Sequence, residues 1–582
     1  MAPLADVARG GALNAPQLRR RESRGEPLGW PDSVHPVLQR VYAARGVLGP
    51  AQIEHRLARM LSPQLLGGMS EAVALLVEAI RDDWSILIAG DYDCDGATGT
   101  AVAVRGLRLL GARRVDYAIP NRFVHGYGLS AAFVATMQPT PQLIVTVDNG
   151  VASVAGVAAA KARGIRVIVT DHHLPGAHLP ACDAMVNPNL AGDPFPSKML
   201  AGVGVMFYLL LALRARMDEL GAFAGTRPDL SPLLDLVALG TVADLVPLDF
   251  NNRVLVQAGL QRMRSGRACA GIAALVEAGK RSLATLASSD LGFTVGPRLN
   301  AAGRLEDMRL GVECLLTDDL VQARRCAEQL DAINRERRDL QASMVAEAEV
   351  MAAAMAHVEA IGVALFEPSW HAGVVGLVAS KLKDRLHRPV VAFAPAAEDD
   401  SENLRGSARS IAGFHIRDAL ATIDAREPGL IERFGGHAMA AGLSLKTRDY
   451  ASFAVAFDAV ARELIEPERL LAVLHTDGEL PPGAATLALA RQLRGGGPWG
   501  QAFPEPLFDN LFECAGWKVM GERHLRLQLR DPRDGAVHDG VMFNAYGGEP
   551  PPPRLRAAYE LTVNDWQGRE TARLLLRHME PA

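Results

Sequence analysis

Three aspartates at alternate positions, Asp91, Asp93 and Asp95, run into a glycine in the stretch Asp91-Tyr92-Asp93-Cys94-Asp95-Gly96. Acids this close repel one another and lose solvation as a site closes, so such a cluster usually persists because cations neutralise it. Hard oxygen ligands select Mg2+ or Mn2+ over zinc. Taken alone, the stretch is equally compatible with a solvated acidic turn. It also opens like a calcium loop, but Val102 stands where such a loop needs a glutamate. Three further groups carry related chemistry: Asp148-Asn149-Gly150, Asp171-His172-His173 and Gly240-Thr241-Val242-Ala243-Asp244. Singly, each has an ordinary reading as a turn aspartate or a capping or core histidine.

The elements around these groups give them a common address. Ile86-Leu87-Ile88-Ala89 is a short apolar run ending at Gly90, which reads as a buried strand, and Thr100 to Leu110 reads as a helix packing back on a sheet. Leu143 to Val147 leads into Asp148, a helical stretch covers Val151 to Arg163, and Val167 to Thr170 leads into Asp171. Leu233 to Leu239, another apolar run in this alternation, leads into Gly240. The rhythm predicts an α/β fold with a parallel sheet and helices on both faces, and such sheets bind ligands at the carboxyl ends of their strands. Parallel strands would gather Asp93, Asp95, Asp148 and His172 along one crest, as a binuclear metal site.

At 582 residues the chain has length for several domains, and 49% hydrophobic with 22% charged residues is an ordinary globular composition. The net charge of −5 gives no global basic field, so a polyanion site must be a local patch. Six cysteines without a Cys-x-x-Cys pair suggest neither a disulfide framework nor structural zinc, and fit a reducing cytoplasm. Arg19-Arg20-Arg21 is followed by no apolar core, so it is not a secretory signal, and Met199 to Leu213 is too short and glycine-broken to span a bilayer.

Residues 1–48 read as a partly irregular lead-in, 49–280 as the metal-bearing α/β domain and 281–357 as a helical connector. The run between Gly311 and Gly362 lacks Gly and Pro. Some forty helical residues would reach roughly 60 Å and bridge two domains, with two helices around a polar joint as the alternative. A second, smaller α/β domain spans 358–460. It carries Trp370-His371-Ala372-Gly373, Arg405-Gly406-Ser407-Ala408-Arg409-Ser410 and Phe434-Gly435-Gly436-His437, where glycine, hydroxyl and arginine at the end of a strand suit phosphate. Residues 468–582 read as a small β-barrel, with the oligonucleotide-binding fold one option. There Trp517, Tyr546 and Trp566 either stack bases or fill the barrel, and Arg523, Arg526 and Arg569 are candidates for phosphate.

With these motifs in this order, and with Gly296-Pro297-Arg298-Leu299-Asn300-Ala301-Ala302-Gly303-Arg304 between them, the chain resembles the DHH phosphoesterase family from about residue 19 onward. Within that family it is similar to the bacterial exonucleases specific for single-stranded DNA. The resemblance implies a DHH domain, a connecting helix, a DHH-associated domain and an oligonucleotide-binding barrel; a further C-terminal domain seen in some relatives is expected to be absent. It implies 5′→3′ degradation of single strands to mononucleotides in recombination and repair, with two Mn2+ or Mg2+ ions. It makes Asp93 and Asp148 ligands of one ion and Asp95, Asp148, His172 and Asp244 ligands of the other. Asp91 becomes an additional acid and His173 a group near the scissile phosphate. Arg298, Asn300, Arg304, His371, Ser407, Arg409, Gly435, Gly436 and His437 fall on motifs that would contact substrate. Single-stranded DNA, a helicase and a single-strand-binding protein are the implied partners of a cytoplasmic monomer. Cys94 departs from the small apolar residue common in the first motif, and is expected to point inward. The rival readings are a DHH-type hydrolase of small substrates and a non-catalytic single-strand binder.

Overall fold

The computed structural model describes residues 16–122, 124–356, 360–397 and 400–582. Two compact units divide the chain. The larger comprises Arg21–Asn334, Asp477–Tyr546 and Pro550–Ala582, and the smaller Met1–Arg20, Arg335–Thr476 and Gly547–Glu549. A short strand, β1 (Gln17–Arg20), belongs to the smaller unit.

In the larger unit, β2 (Ile86–Ala89), β3 (Val115–Ala118), β4 (Leu143–Val147), β5 (Arg166–Thr170) and β6 (Ala184–Val186) form a wholly parallel sheet in the order β3-β2-β4-β5-β6. The central strands β2, β4 and β5 read as nearly unbroken apolar runs because both faces are covered. Ile86, Ile88, Leu143, Val145 and Val147 enter the main core, while Ala89, Ile144, Val167 and Val169 enter a second cluster. The strand order reverses between β2 and β4, the point at which doubly wound sheets open a crevice at their carboxyl ends.

The run from Leu233 departs from the strand rhythm: Leu234–Ala243 is a helix, and Asp244 caps its carboxyl end. It is apolar all round because it is buried on all sides, and periodicity cannot separate such a helix from a buried strand. The lead-in is not wholly irregular either, since the helix Pro36–Ala43 buries Val37, Leu38, Val41 and Tyr42 in the main core. The glycine-free run holds the end of the helix Arg309–Leu316 and then a long unbroken helix, Leu320–Ala356, whose 37 residues extend about 55 Å. The division between the units falls within it.

The smaller unit holds β7 (Val363–Phe366), β8 (Val390–Pro395), β9 (Asn403–Arg409), β10 (Arg433–Gly436) and β11 (Ala440–Lys446) in a mixed sheet ordered β10-β11-β9-β8-β7. There β12 (Val473–Thr476) pairs in parallel with β1. Arg405, Ser407 and Arg409 lie within β9 rather than past its end. Strand alternation buries Leu404, Gly406 and Ala408 and turns the arginines and serine to the other face.

β13 (Phe508–Met520), β14 (His524–Arg530), β15 (Val537–Met542), β16 (Arg554–Trp566) and β17 (Arg569–Pro581) close into a barrel in the larger unit. Phe508, Leu525, Leu527, Leu529, Leu555, Tyr559, Leu574 and Leu576 fill it. Trp517 and Trp566 do not, being 42% and 71% exposed. Trp499 and Phe503, just before the barrel, stack on Tyr42 at 6.0 and 6.5 Å, and Ser288 Oγ donates to the Trp499 carbonyl at 2.6 Å. The barrel and the parallel-sheet domain thus share one core. No single helix among the described residues is long and apolar enough to cross a membrane.

Candidate active site

At the carboxyl end of β2 the chain turns directly into the helix Cys94–Leu109, with Asp93 as its N-cap, accepting from Gly96 N at 3.0 Å. An acceptor there satisfies an amide that the helix itself leaves unbonded. Asp95, in the first turn, is buried, and its two oxygens accept from Gly202 N at 2.6 Å and Val203 N at 2.9 Å. Those amides open the helix Gly202–Glu219, so two helix starts, each favourable to negative charge, converge on this carboxylate. Gly202 has to be glycine, because a Cβ there would lie 2.5 Å from Asp148 Cβ. Asp148 itself follows β4 with φ +64°, a conformation aspartate tolerates better than most residues.

The side chains meet in three overlapping groups. Ligand atoms of Asp91, Asp93 and Asp148 lie within 4.8 Å of one another, as do those of Asp95, His172 and Asp244, and those of Asp148, His172 and His173. His172 Nε2 is 3.1 Å from Asp148 Oδ1, 3.5 Å from Asp244 Oδ2 and 3.9 Å from Asp95 Oδ2. Burial first, and then the charge of Asp93, push the Asp91 carboxyl well above the usual range and that of Asp95 up to about 7. Burial and the neighbouring Asp95 do the same to Asp148 and Asp244. Asp91 Oδ1 and Asp148 Oδ1 are buried and receive no hydrogen bond. A crowd of buried carboxylates with unbonded oxygens and one imidazole among them fits divalent cations that favour oxygen.

Asp171 is the anchor of the histidine pair. Its Oδ1 lies 2.7 Å from His173 Nδ1 and accepts from the amides of His172 and His173 at 2.7 and 3.1 Å. Burial alone would lower the His173 pKa, but the hydrogen bond and charge of Asp171, helped by Asp91 and Asp93, raise it to about 9. Cys94 is fully buried, its amide donates to Asn300 Oδ1 at 2.7 Å, and burial raises its thiol, so it acts as a small core residue. Asn300 therefore holds the backbone of the first motif. Arg304 shares its helix, Gly296–Leu305. Arg298 is not among the grouped residues: its guanidinium meets Asp331 at 2.7 Å and donates to the Thr294 carbonyl at 2.6 Å.

In the smaller unit, Ser407 and Arg409 face the first turn of the helix Val375–Leu386. A Cβ on Gly376 would lie 3.0 Å from Arg409 Nη2 and 3.2 Å from Ser407 Oγ. His371 Nδ1 accepts from Gly373 N at 3.1 Å just before that helix. Gly435 pairs with Gly442, which pairs with Ser407, so two glycines follow the serine across the sheet on one side, with Ala392 on the other. Gly436 is exposed at the end of β10, followed by the exposed His437.

Sequence reasoning missed Tyr127, whose hydroxyl donates to the Asp148 carbonyl at 3.2 Å and lies 3.3 Å from His173 Nε2. Its one signal is the flanking glycines of His125-Gly126-Tyr127-Gly128, which turn with φ +77° and +67°. Asn149 was seen only as part of a turn. Its amide donates to the carbonyls of Ala89 and Val147, tying the ends of β2 and β4 together.

A parallel sheet whose switch point gathers these acids and histidines, joined to a five-stranded barrel, defines a metal-dependent phosphoesterase of the DHH class. Residues 85–241 match the DHH family, N-terminal domain, residues 354–464 the DHHA1 domain, and residues 476–578 the RecJ OB domain. The chain belongs to the RecJ family. It is 50% identical over 575 residues to the single-stranded-DNA-specific exonuclease RecJ of Dickeya dadantii (strain 3937), covering 97% of this chain and 99% of that protein. It is 46% identical, with the same coverage, to that of Escherichia coli (strain K12). The crystal structure of RecJ in complex with Mn2+ from Thermus thermophilus superposes with a TM-score of 0.79 at 30% identity, over 97% of this chain and 80% of that one.

Proposed function

We propose that this protein is a single-stranded-DNA-specific 5′→3′ exonuclease that hydrolyses phosphodiesters with two divalent ions, Mn2+ or Mg2+, and releases mononucleotides during recombination and repair. The observation that carries this reading is the convergence of Asp93, Asp148, His172 and Asp244, from separate elements, within coordinating distance of one another or of shared partners. Asp93 and Asp148, with Asp91 beside them, would hold one ion, and Asp95, Asp148, His172 and Asp244 the other. Bound there, such a pair lowers the pKa of a water and neutralises charge growing on the phosphate oxygens.

The chain's own groups do the rest. Asp171 holds the His173 ring and favours its protonated form, which suits it to donate to a phosphate or departing oxygen. Ser407 and Arg409, beside Gly376 at the start of the helix Val375–Leu386, offer a cradle for a terminal phosphate, with His371, Gly435, Gly436 and His437 as further candidates. Asn300 acts by holding the first motif, and Arg304 and Arg298 work from the same helix. Exposed Trp517 and Trp566 give the barrel faces on which bases stack. Functionally, 49–280 is the catalytic module, 281–357 the connector, 358–460 the phosphate-binding module and 468–582 the single-strand-binding module, with 1–48 as a lead-in. On this reading the enzyme works in the cytoplasm as a monomer, on strands opened by a helicase and coated by a single-strand-binding protein.

The test is a nuclease assay on end-labelled single and double strands, with and without EDTA. Metal-dependent shortening of single strands from the 5′ end is expected. Cleavage that persists in EDTA, or that prefers duplex, overturns the proposal. A hydrolase of small substrates would turn over a dinucleotide as well as a long strand, and a pure binder would retain the strand intact.

A further inference from the structure

Building on the metal-site reading, we propose that Asn187 and Asn189 are positioning residues for the histidine pair, acting through its backbone carbonyls. His172 and His173 follow β5 in a segment without regular structure. The ladder between β5 and β6 ends at Thr170 and Val186, and the Asp171 amide makes one last bond to the Val186 carbonyl at 3.1 Å. Beyond that point side chains take over every backbone group of the dipeptide. Asp171 accepts from both amides, as described. On the carbonyl side, Asn189 Nδ2 donates to His172 O at 2.5 Å and Asn187 Nδ2 donates to His173 O at 2.9 Å. Backbone groups withdrawn from water have to be paired somewhere, and here the pairing sets where the two imidazoles start from.

The two amides form one hook. Asn187 is fully buried, and its Oδ1 accepts from Asn189 N at 2.8 Å across Pro188. Lys198 Nζ fastens the outside of the hook, donating to the carbonyls of Pro188 and Asp193 at 2.7 Å each. Aspartate could not replace either asparagine here, because an ionised carboxylate offers a carbonyl only acceptors. Both Nδ2 atoms are directed at the carbonyls of the dipeptide, so their effect on an ion would pass through the histidines. The short edge strand β6 gains a purpose from this, since it carries the hook to the back of the site.

The experiment uses the full chain as wild type, Asn189→Ala and Lys198→Met. It reads Mn2+ affinity by electron paramagnetic resonance, kcat and KM on single-stranded DNA at saturating Mn2+, and melting temperature in EDTA. Outer-shell supports of metal ligands are worth about 10–100-fold in affinity. Asn189→Ala is expected to weaken Mn2+ binding by about that factor, with KM and the EDTA melting temperature near wild type. Lys198→Met, at a half-exposed side chain that leaves the amides in place, is expected to give a smaller loss in the same direction. Wild-type Mn2+ affinity in Asn189→Ala overturns the proposal. So does a loss of affinity matched by a fall in the EDTA melting temperature, which would mark a general structural role. If the wild-type protein binds no Mn2+, the metal-site reading fails first and the hook falls with it.

Discussion

Asp148 Oδ1 and His172 Nε2 lie 3.1 Å apart although they leave the sheet from neighbouring strands, β4 and β5. At that separation both atoms could reach one divalent ion. Asp148→Ala should reduce metal-dependent cleavage to background. It should also remove the stabilisation that Mn2+ gives the wild type, which is about 2.7 kcal/mol at a hundredfold excess over Kd. Thermal melts with and without Mn2+ measure the second effect independently of turnover, and retained cleavage in the variant would contradict the assignment.

Asp91 is buried beside Asp93 with one oxygen that accepts no hydrogen bond. Without metal this is an electrostatic cost to the fold. Asp91→Asn should therefore stabilise the protein in EDTA by about 1 kcal/mol while weakening its response to Mn2+. Urea unfolding in EDTA decides the sign, and a destabilised variant would mean that the carboxylate is well satisfied without an ion.

The barrel is not a detachable appendage, because Trp499 and Phe503 complete the core around Tyr42. Truncation before residue 468 would expose that core, at about 1.5–3 kcal/mol for each large side chain uncovered. The truncated chain should melt well below the full protein or fail to accumulate in soluble form. A truncated protein with wild-type melting would show that the shared core adds little.

Point changes on the barrel surface are the cleaner probe of strand binding. Trp517→Ala and Trp566→Ala should each weaken binding of a long single strand by about 1–3 kcal/mol, while leaving hydrolysis of a dinucleotide unchanged. Trp566 is 71% exposed and its removal should leave the melting temperature unchanged, whereas Trp517, 42% exposed and packed beside Tyr546, should lower it slightly. Fluorescence anisotropy with long and short strands separates the effects, and unchanged affinity for the long strand would remove these residues from the binding path.

Asp183 accepts from Lys161 Nζ at 2.8 Å, Arg166 Nε at 2.6 Å and Val167 N at 2.7 Å, holding β5 and β6 in place. Burial pushes its carboxyl up, but these three donors outweigh it and hold the pKa below the usual value. The unfolded chain therefore binds the proton more readily. The stabilisation is fully present above the unfolded pKa, about 3.9, and is lost as pH falls through the lower folded value. Asp183→Asn should cost roughly 1 kcal/mol at pH 7, a figure kept small because both cations are partly exposed. The difference should vanish near pH 2 in denaturant melts, and a difference that stays constant with pH would point to packing instead.

The parallel sheet was legible because strands covered on both faces are unbroken apolar runs, and Leu143–Val147 and Arg166–Thr170 differ little from their sequence reading. The helix Leu234–Ala243 was not, since a segment buried on every side loses the periodicity that marks a helix. Tyr127, Asn187 and Asn189 escaped because each acts through a backbone group brought near only by folding. Arg298 holds Asp331 and the Thr294 carbonyl, partners that its motif alone does not reveal.

By itself, then, the sequence determined the ligand chemistry and its order, because metal preference follows from residue type and short spacing. Only the tertiary structure decided that Asp244 arrives from a helix end, that Asn300 braces the first motif, and that the barrel shares a core with the catalytic sheet. The physical reason is that local pattern records which face of an element is buried, whereas the atom each polar group meets depends on chain segments far away in sequence.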